Sequence, residues 1–276
     1  MSTAVAATAG RALARFRHPI HVLRMRAPVL DQLRLEEALV RADCRNWCII
    51  NRMLKSHGPA VVLGISGQPD KLVHVENAAF DRVPMIKRFS GGGTVLVDHD
   101  IIFVTFICNE TSLPDVKKFP KPIMDWTGCF YGSVFPADSG FRVHENDYCF
   151  GQRKFAGNAQ CITKDRWLHH TSFLWDYDDY RIDRYLKMPS KVPEYRAGRS
   201  HQDFMCRVKD NPAFAGRTPE DMEDMVIGQL ADWFEPTDAS LSEMQSAMLL
   251  PHDKRTLILS HQITDGGHVQ MRATQA

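Results

Sequence analysis

The chain has 276 residues, of which 44% are hydrophobic and 24% are charged. These values are ordinary for a globular enzyme, and the length fits one large domain with at most a small appendage. The 34 basic and 33 acidic side chains leave a formal net charge of +1, which argues against a nucleic-acid partner, and no apolar run approaches the roughly 20 residues of a membrane-spanning helix.

The N-terminal segment, residues 1–18, differs from the rest in composition. No Asp or Glu occurs before Asp31, whereas arginines are interspersed with Ala, Val, Leu and Phe. Such an arginine-rich and acid-poor segment is typical of an organellar transit peptide. We therefore expect residues 1–18 to be a transit peptide or a disordered N-terminus. The corresponding location is the mitochondrion or another organelle matrix, and otherwise the cytoplasm.

Apolar periodicity predicts strands that alternate irregularly with few helices. A strand over 20–25 precedes a helix over 35–42, in which Glu36, Glu37 and Arg41 form the expected solvent face. A second helix is predicted from Pro122 onward. Further strands are expected at 47–50, 60–64, 84–87, 94–97, 101–108, 148–150, 158–163 and 171–175. This order favours an α+β fold with a mixed, mostly antiparallel sheet flanked by helices.

Turn and cap signals complete the organisation of the chain. Asp98-His99-Asp100 separates two β-rich runs and predicts a tight hairpin connection. Thr218-Pro219-Glu220-Asp221 predicts a helix start, because a Thr cap is followed by Pro and by an acidic residue three positions later. Pro236 is expected to end that helix. Residues 19–237 thus form the predicted main domain. Residues 238–276 are expected to hold one short amphipathic segment and a polar C-terminal tail, too little for a full accessory domain.

Two segments punctuated by glycine carry the chemistry. Residues 87–100 read KRFSGGGTVLVDHD, and residues 151–160 read GQRKFAGNAQ, with Lys154 near the centre. Consecutive glycines place backbone N–H groups against a ligand, and a neighbouring Arg is suited to clamp phosphate or carboxylate. A Walker loop is absent from the sequence, and these glycines precede a strand rather than open a helix as in a Rossmann fingerprint. The pattern indicates an adenylate-forming site of another architecture.

The sequence resembles the lipoate–protein ligase family of the biotin/lipoate A/B protein ligase superfamily. Its motifs are similar to the family's RRxSGGGxVxHD, ND…RKxxGxAQ and HHGTLL signatures, in the same order, over most of the chain. The segments concerned are Arg88–Val95 with His99-Asp100, Asn146-Asp147 with Arg153–Gln160, and His169–Leu174. Two departures are visible: His99-Asp100 lies farther from the glycines than the family's pair, and Thr171 replaces a glycine.

The resemblance implies the biotin/lipoate ligase catalytic fold, which is similar to class II synthetases, and two half-reactions. ATP with Mg²⁺ activates lipoate or octanoate as an acyl-AMP, and a lysine of a lipoyl carrier domain then takes the acyl group. The implied carriers belong to 2-oxoacid dehydrogenase complexes or are the glycine cleavage H protein. Because no full accessory domain is expected, a separate accessory-domain protein is a further implied partner, and nucleic acid and membrane are not.

The same resemblance assigns roles to individual residues. Lys154 is the implied catalytic residue, since its ammonium group can contact both the acyl carbonyl oxygen and the phosphate. Asp147 either orients the ribose or helps to bind Mg²⁺. The residues expected to bind the adenylate or the acyl chain are Arg88, Ser90, Gly91, Gly92, Gly93, Asn146, Asp147, Gly157, Ala159 and His170.

Other functions stay open at this point. A lipoyl- or octanoyltransferase on the same fold would pass its acyl group through a cysteine, and Cys149 and Cys161 flank Lys154 within predicted strands. A non-catalytic lipoate-binding protein would not require Lys154. A biotin ligase would carry an Arg-rich loop in place of Ser90 and the three glycines. The basic stretch 187–199 is expected to be a solvated loop, or else a surface for acidic carrier domains.

Overall fold

The computed structural model describes residues 17–263 and 269–275. The expected transit segment therefore lies almost wholly outside the described residues. The strands are β1 (Pro19–Met25), β2 (Trp47–Asn51), β3 (Ala60–Leu63), β4 (Met85–Lys87), β5 (Val95–Val97), β6 (Ile101–Asn109), β7 (Phe141–His144), β8 (Asp147–Phe150), β9 (Arg153–Ile162), β10 (Arg166–Leu174), β11 (Glu235–Asp238), β12 (Leu257–Ile263) and β13 (Val269–Gln275). The helices are α1 (Val29–Ala42), α2 (Pro69–Leu72), α3 (Val75–Phe80), α4 (Pro120–Val134), α5 (Asp179–Tyr185), α6 (His201–Phe204), α7 (Pro219–Leu230) and α8 (Leu241–Met248). Over this described part, no helix has the length and apolarity that a bilayer crossing demands.

The strands form two mixed sheets. The larger runs β11-β1-β2-β6-β10-β9-β8-β7, and the smaller runs β13-β12-β4-β3-β5. The pairs β1–β11, β1–β2 and β3–β4 are parallel, and the other neighbours in both sheets are antiparallel. The predicted mixed, mostly antiparallel architecture with flanking helices is thus confirmed.

The turn at residues 98–100 connects the two sheets. β5, before the turn, pairs with β3 of the smaller sheet, whereas β6, after it, pairs with β2 and β10 of the larger one. The predicted hairpin is therefore wrong, because a three-residue turn between extended segments does not specify which strand each one joins. The crossing opens a cleft between the sheets, and the glycine turn between β4 and β5 lies beside it.

An aromatic core holds α4 and α7 against the larger sheet. Phe106 of β6 packs edge-on against Trp126 and Phe130 of α4, with ring centroids 5.2 and 5.0 Å apart. The predicted cap of α7 is present, since the Thr218 hydroxyl accepts a hydrogen bond from Asp221 N at 3.2 Å. The helix ends before the residue that was expected to stop it, because Pro236 lies in β11, which pairs with β1.

Two consecutive glutamates of α1 are buried, so the predicted solvent face of this helix is wrong. Glu36 and Glu37 are each 1% exposed. The Glu37 carboxylate accepts hydrogen bonds from the backbone N–H groups of Arg255 and Thr256, at 2.8 and 2.9 Å. In the segment 238–276 the expected amphipathic piece is α8, but the part expected to be a polar tail supplies two further strands, of which β12 pairs with β4.

Candidate active site

Two connected cavities open at the cleft between the sheets. The inner cavity has a volume of about 290 Å³, and one wall of it is apolar, formed by side chains such as Leu33 and Phe103. The outer cavity has a volume of about 760 Å³ and is bounded by the segment that follows α5. Lys154, Asp147 and the glycine turn line both cavities. The two volumes therefore meet at the residues that carry the sequence motifs.

The structure brings most of the predicted site residues together. The inner cavity is lined by Lys154, Arg88, Gly92, Gly93, Asn146, Asp147, Gly157, Ala159 and His170. Ser90 and Gly91 line neither cavity. The buried Ser90 accepts a hydrogen bond at its carbonyl from Ile65 N at 3.0 Å, and Gly91 N donates to Gln160 O at 3.2 Å. These two residues thus fix the shape of the turn through their backbones, and their contact with a ligand stays a prediction.

Gly92 is the residue of the turn that must be glycine. Its φ of +109° is in a region that other residues rarely adopt. A Cβ there would lie 2.6 Å from Arg88 Nη2 and 3.0 Å from Asn158 O. The turn also packs closely on the end of β3, since a Cβ on Gly64 would lie 2.3 Å from Gly92 O. Backbone is thus the only group that fits between β3 and β9 at this point.

The Arg88 side chain ties this turn together. It is 4% exposed, and Nη2 donates to Gly91 O at 2.8 Å and to Gly93 O at 2.9 Å. Burial lowers the pKa of Arg88 to about 10, although the nearby Glu36 carboxylate opposes that shift. The guanidinium group stays charged at neutral pH and positions the glycine carbonyls, while a direct contact with phosphate remains a prediction.

The Lys154 side chain lies beside Gly157 on β9, with its ammonium group in the cleft. Its ammonium nitrogen lies 2.7 Å from Asp147 Oδ1, and its side chain is 25% exposed. A Cβ on Gly157 would lie 3.7 Å from that nitrogen. The backbone of Lys154 is held by Cys206 N, which donates to its carbonyl at 2.8 Å. A flexible cation is in this way fixed at the junction of the two cavities.

Asp147 is held from its other side by a tyrosine that sequence reasoning missed. Asp147 Oδ2 accepts a hydrogen bond from the Tyr195 hydroxyl at 2.8 Å. The Tyr195 ring stacks on His144 at 4.9 Å, and the buried Cys149 thiol donates to its oxygen at 3.3 Å. Burial, followed by the Asp147 charge, raises the pKa of Tyr195 well above its usual value. The phenol therefore stays protonated and acts as a donor.

Both carboxylate oxygens of Asp147 have a donor beside them. One oxygen faces the Lys154 ammonium and the other accepts a hydrogen bond from Tyr195. In this structure the carboxylate therefore positions the Lys154 side chain. Because each carboxylate oxygen has two lone pairs, these contacts leave room for a metal ion, and the binding of Mg²⁺ by Asp147 stays a prediction.

The basic stretch 187–199 is a largely exposed loop, as expected, but it is anchored to the site at one point. Seven of its thirteen residues are exposed and one, Arg196, is buried. The Arg196 guanidinium lies 4.7 Å from the centre of the Phe204 ring. The stretch carries Tyr195 to Asp147, and Lys191 lines the outer cavity. In the sequence, the feature that could have indicated this contact is an aromatic residue, Tyr195, in a loop between Pro193 and Gly198.

His170 belongs to a buried polar network beneath the inner cavity. Its Nδ1 lies 2.9 Å from Glu36 Oε1 and 3.1 Å from the Thr105 hydroxyl. Burial by itself raises the pKa of Glu36, but the His170 charge and hydrogen bonds from His170, Thr105 and Gln32 bring it below its usual value. His170 is thus fixed in orientation on the cavity wall by a charged glutamate that the sequence pattern had assigned to solvent.

His99-Asp100 does not enter this site. Asp98, His99 and Asp100 place their ligand atoms within 4.8 Å of one another at the turn between the sheets. None of the three lines either cavity, and Arg181 lies 3.6 Å from the Asp98 carboxylate. His99 and Asp100 therefore match the family motif in sequence but do not line the cleft.

Comparison with known families decides the relationship of the chain. A family model described as the lipoyl protein ligase A/B catalytic domain matches residues 28–231. The chain belongs to this family. The matched range contains both glycine-punctuated segments and the whole of the cleft described above.

Curated relatives of this chain are moderately similar to it in sequence. It is 28% identical over 196 residues to the inactive lipoate–protein ligase 2 of Plasmodium falciparum, a match that covers 59% of this chain and 50% of the relative. It is 31% identical over 172 residues to a probable lipoate-protein ligase A of Mycoplasma pneumoniae, with coverages of 60% and 48%. The chain thus spans about half the length of the curated relatives it matches.

Solved structures show that the fold is the biotin/lipoate ligase catalytic fold. A bipartite lipoate protein ligase from Thermoplasma acidophilum superposes with a TM-score of 0.65 at 17% identity, covering 84% of this chain and 91% of that one. A lipoate-protein ligase A solved with ATP gives a TM-score of 0.64 at 15% identity, with coverages of 84% and 93%. The predicted fold and family are both confirmed.

Proposed function

We propose that this protein is a lipoate–protein ligase, which activates lipoate or octanoate with ATP and transfers the acyl group to a lysine of a lipoyl carrier domain. The observation that carries the proposal is that Lys154 and the Gly92-Gly93 backbone line the same two cavities. An acyl-adenylate needs a slot for its chain and a fixed cation for its anhydride. The inner cavity and Lys154 supply these two features.

The first half-reaction follows from this arrangement. The acyl chain occupies the inner cavity against the apolar wall of Leu33 and Phe103, and its carboxylate reaches Lys154. A carboxylate oxygen then forms a bond to the α-phosphorus of ATP, the bond from that phosphorus to the β-phosphate oxygen breaks, and pyrophosphate leaves. The Lys154 ammonium, held by Asp147, stabilises the negative charge that builds up on the α-phosphate.

The names of related proteins support the substrates and the partner. One neighbour is a ligase described with its E2 lipoyl domain, one was solved with ATP, and another, from P. falciparum, is in complex with lipoate. One curated relative is named inactive, which keeps a lipoate-binding protein without catalysis as the second candidate. On the composition of residues 1–18 alone, we place the protein in an organelle matrix.

A transferase that works through an acyl-cysteine is less well supported by the site. Cys149 and Cys161 line neither cavity. Burial raises the pKa of both thiols, and a thiol rather than a thiolate is a poor nucleophile. The Cys149 thiol is also engaged with Tyr195. The site therefore favours direct acyl-AMP chemistry over a thioester.

One experiment separates these functions. The purified full-length protein is incubated with a lipoyl domain, lipoate or octanoate, ATP and Mg²⁺, and a parallel sample contains chemically made acyl-AMP in place of ATP and free acid. Intact mass spectrometry of both proteins gives the result. We expect an acylated lipoyl domain in both samples and an unmodified enzyme. If the lipoyl domain is acylated from acyl-AMP but not from ATP and free acid, the protein is a transferase and not a ligase. An acylated enzyme would indicate a thioester intermediate. If neither sample contains an acylated product, the protein is a non-catalytic lipoate-binding protein.

A further inference from the structure

His201 occupies a place in the outer cavity that the first half-reaction does not use. It is the first residue of α6, and its side chain is 14% exposed. Across the described ranges 17–263 and 269–275, it is the one histidine that lines the outer cavity. Lys154 lines the same cavity. An imidazole thus lines the same cavity as Lys154, the larger of the two cavities, which the proposed reaction would use to admit the carrier lysine.

An acidic side chain lies close to the ring of His201. Nδ1 is 3.6 Å from the Asp183 carboxylate of α5, an ion-pair distance longer than a hydrogen bond. The Asp183 carboxylate also accepts a hydrogen bond from Gln202 Nε2 at 3.3 Å. Because the carboxylate faces Nδ1, Nε2 is the ring nitrogen considered as the proton acceptor.

The transfer step requires such an acceptor. When a neutral lysine amine attacks the acyl carbonyl, its nitrogen becomes positively charged and has to lose a proton before the amide is formed. A side chain can take that proton only if it lies in the cavity and is free of a stronger partner. The site therefore needs a proton acceptor near Lys154 that is not already engaged.

Other basic groups of the site are occupied. Asp147 receives the Lys154 ammonium on one oxygen and the Tyr195 hydroxyl on the other. His170 lines the inner cavity, where its Nδ1 faces the buried Glu36 carboxylate. Glu145 also lines the outer cavity, where one of its carboxylate oxygens accepts a hydrogen bond from Tyr195 N at 3.4 Å. A carboxylate is in general a weaker base than an imidazole, so His201 is better suited than these groups to take a proton from an amine in the outer cavity.

We infer that His201 is the general base of the acyl-transfer step, an inference that rests on the proposed function. As the lysine nitrogen forms its bond to the acyl carbon, His201 Nε2 takes one proton from that nitrogen. The bond between the acyl carbon and the phosphate oxygen breaks, and AMP leaves with the electron pair. His201 then releases its proton to water, so that the amide, AMP and one proton are the products.

The charges around His201 support this role. Burial lowers the pKa of His201, and the Arg196 and Lys154 cations act in the same direction, whereas the Asp183 carboxylate opposes them. Of these charged groups, Asp183 belongs to α5, Arg196 to the stretch before α6 and Lys154 to β9. The imidazole is consequently neutral, and able to accept a proton, at physiological pH.

The test measures transfer from preformed octanoyl-AMP to a lipoyl domain, in the absence of ATP. The variant His201→Gln keeps the size and polarity of the side chain but cannot act as a base. We expect a loss of about 10²- to 10⁴-fold in the single-turnover transfer rate, with octanoyl-AMP formation from ATP and octanoate within a few-fold of wild type. His57→Gln, at a histidine that lines neither cavity, is the matched control and should transfer normally.

The pH dependence gives a readout that a structural role would not move. The carrier amine titrates identically in both proteins, so the ratio of the wild-type to the His201→Gln rate isolates the histidine. This ratio should rise with pH and then become constant. The Asp183 charge raises the pKa of His201, against the effects of burial and of the two cations. In the Asp183→Asn variant, the pH–rate profile should therefore break at a lower pH than in wild type.

The outcomes separate this inference from the function on which it rests. Transfer by His201→Gln within twofold of wild type, with an unchanged pH profile, would overturn the base while leaving the ligase. Wild-type protein that fails to acylate the carrier from octanoyl-AMP would overturn both. If His201→Gln does not fold, His201→Ala with added imidazole replaces it, and a break that is unmoved by Asp183→Asn excludes His201.

Discussion

Lys154 Nζ and Asp147 Oδ1 lie 2.7 Å apart on neighbouring strands, and this ion pair sits where the inner and outer cavities meet. In the proposed reaction, the pair fixes a long, flexible side chain at the position where the acyl carboxylate and the α-phosphate would come together. A cation held in advance needs little reorganisation when negative charge develops. The predictions for the proposed ligase therefore begin with this ammonium group.

Replacing this cation should remove the first half-reaction. Lys154→Ala is expected to lower acyl-AMP formation by at least about 10²- to 10³-fold, because the developing charge loses its preorganised partner. Pyrophosphate release with lipoate and ATP measures the effect, and circular dichroism checks that the fold is kept. Lys121→Ala, at a lysine that is 83% exposed, is the control. Unaltered adenylation by Lys154→Ala would refute the assigned role.

Tyr195 should affect acyl-AMP formation because it holds the Asp147 carboxylate in place. Tyr195→Phe removes a hydrogen bond to a carboxylate, worth about 1.5–3 kcal/mol, and releases Asp147 from its orientation toward Lys154. We expect the rate constant of acyl-AMP formation to fall about tenfold to a hundredfold. Tyr180→Phe, at a tyrosine that is 68% exposed, is the matched control. Equal rates for both variants would show that Asp147 needs no second anchor.

Adjacent glycines of the turn should differ in their tolerance of a methyl group. Gly92→Ala places a Cβ at a positive φ and 2.6 Å from Arg88 Nη2, so we expect the free energy of unfolding to fall by about 1–3 kcal/mol. A Cβ on Gly93 meets no atom within 4 Å among the described residues, so Gly93→Ala should unfold like wild type. Thermal unfolding compares the two, and equal melting temperatures would contradict the close packing of the turn.

Stability should depend on pH through the buried glutamate of α1. The pKa of Glu36 is lowered from its ordinary 4.5 in the folded protein, so its contribution is complete above that pH and is lost as the pH falls through the folded value. At neutral pH, Glu36→Gln should lower the free energy of unfolding by about 1.5–3 kcal/mol.

The measurement is urea unfolding of wild type and variant from neutral pH downward. The difference between them should shrink once the pH falls below 4.5. Glu76→Gln, at an exposed position of α3, should stay within about 0.5 kcal/mol of wild type throughout. A difference that does not change with pH would mean that Glu36 is not charged in the folded protein.

Sequence reasoning succeeded where the signal is local. The glycine run and Lys154 lie in short motifs, and a helix cap such as Thr218 is encoded within four residues. It failed where a contact joins distant parts of the chain. The residues around Glu36 do not predict its contact with His170, which is 134 positions away. The residues around Asp147 likewise do not predict its hydrogen bond with Tyr195, which is 48 positions later.

The strand pairings show the same limit. The residues on each side of turn 98–100 read correctly as extended, but their partners in β3 and β10 are set by the packing of the whole domain. Likewise, a glutamate at a helical position is normally solvent-exposed. Glu36 and Glu37 are exceptions because each finds buried donors on another element.

The two glutamates connect helix α1 to two different parts of the protein. Glu36 contacts His170 on the wall of the inner cavity, and Glu37 accepts hydrogen bonds from the backbone of residues 255 and 256. Deleting the chain beyond residue 250 would remove the Arg255 and Thr256 donors of the Glu37 carboxylate and leave it the Arg41 side chain. The resulting loss of stability would act on the helix that also holds His170 on the wall of the inner cavity. In the proposed ligase, the cavity for the acyl chain would thereby depend on a segment that lines neither cavity.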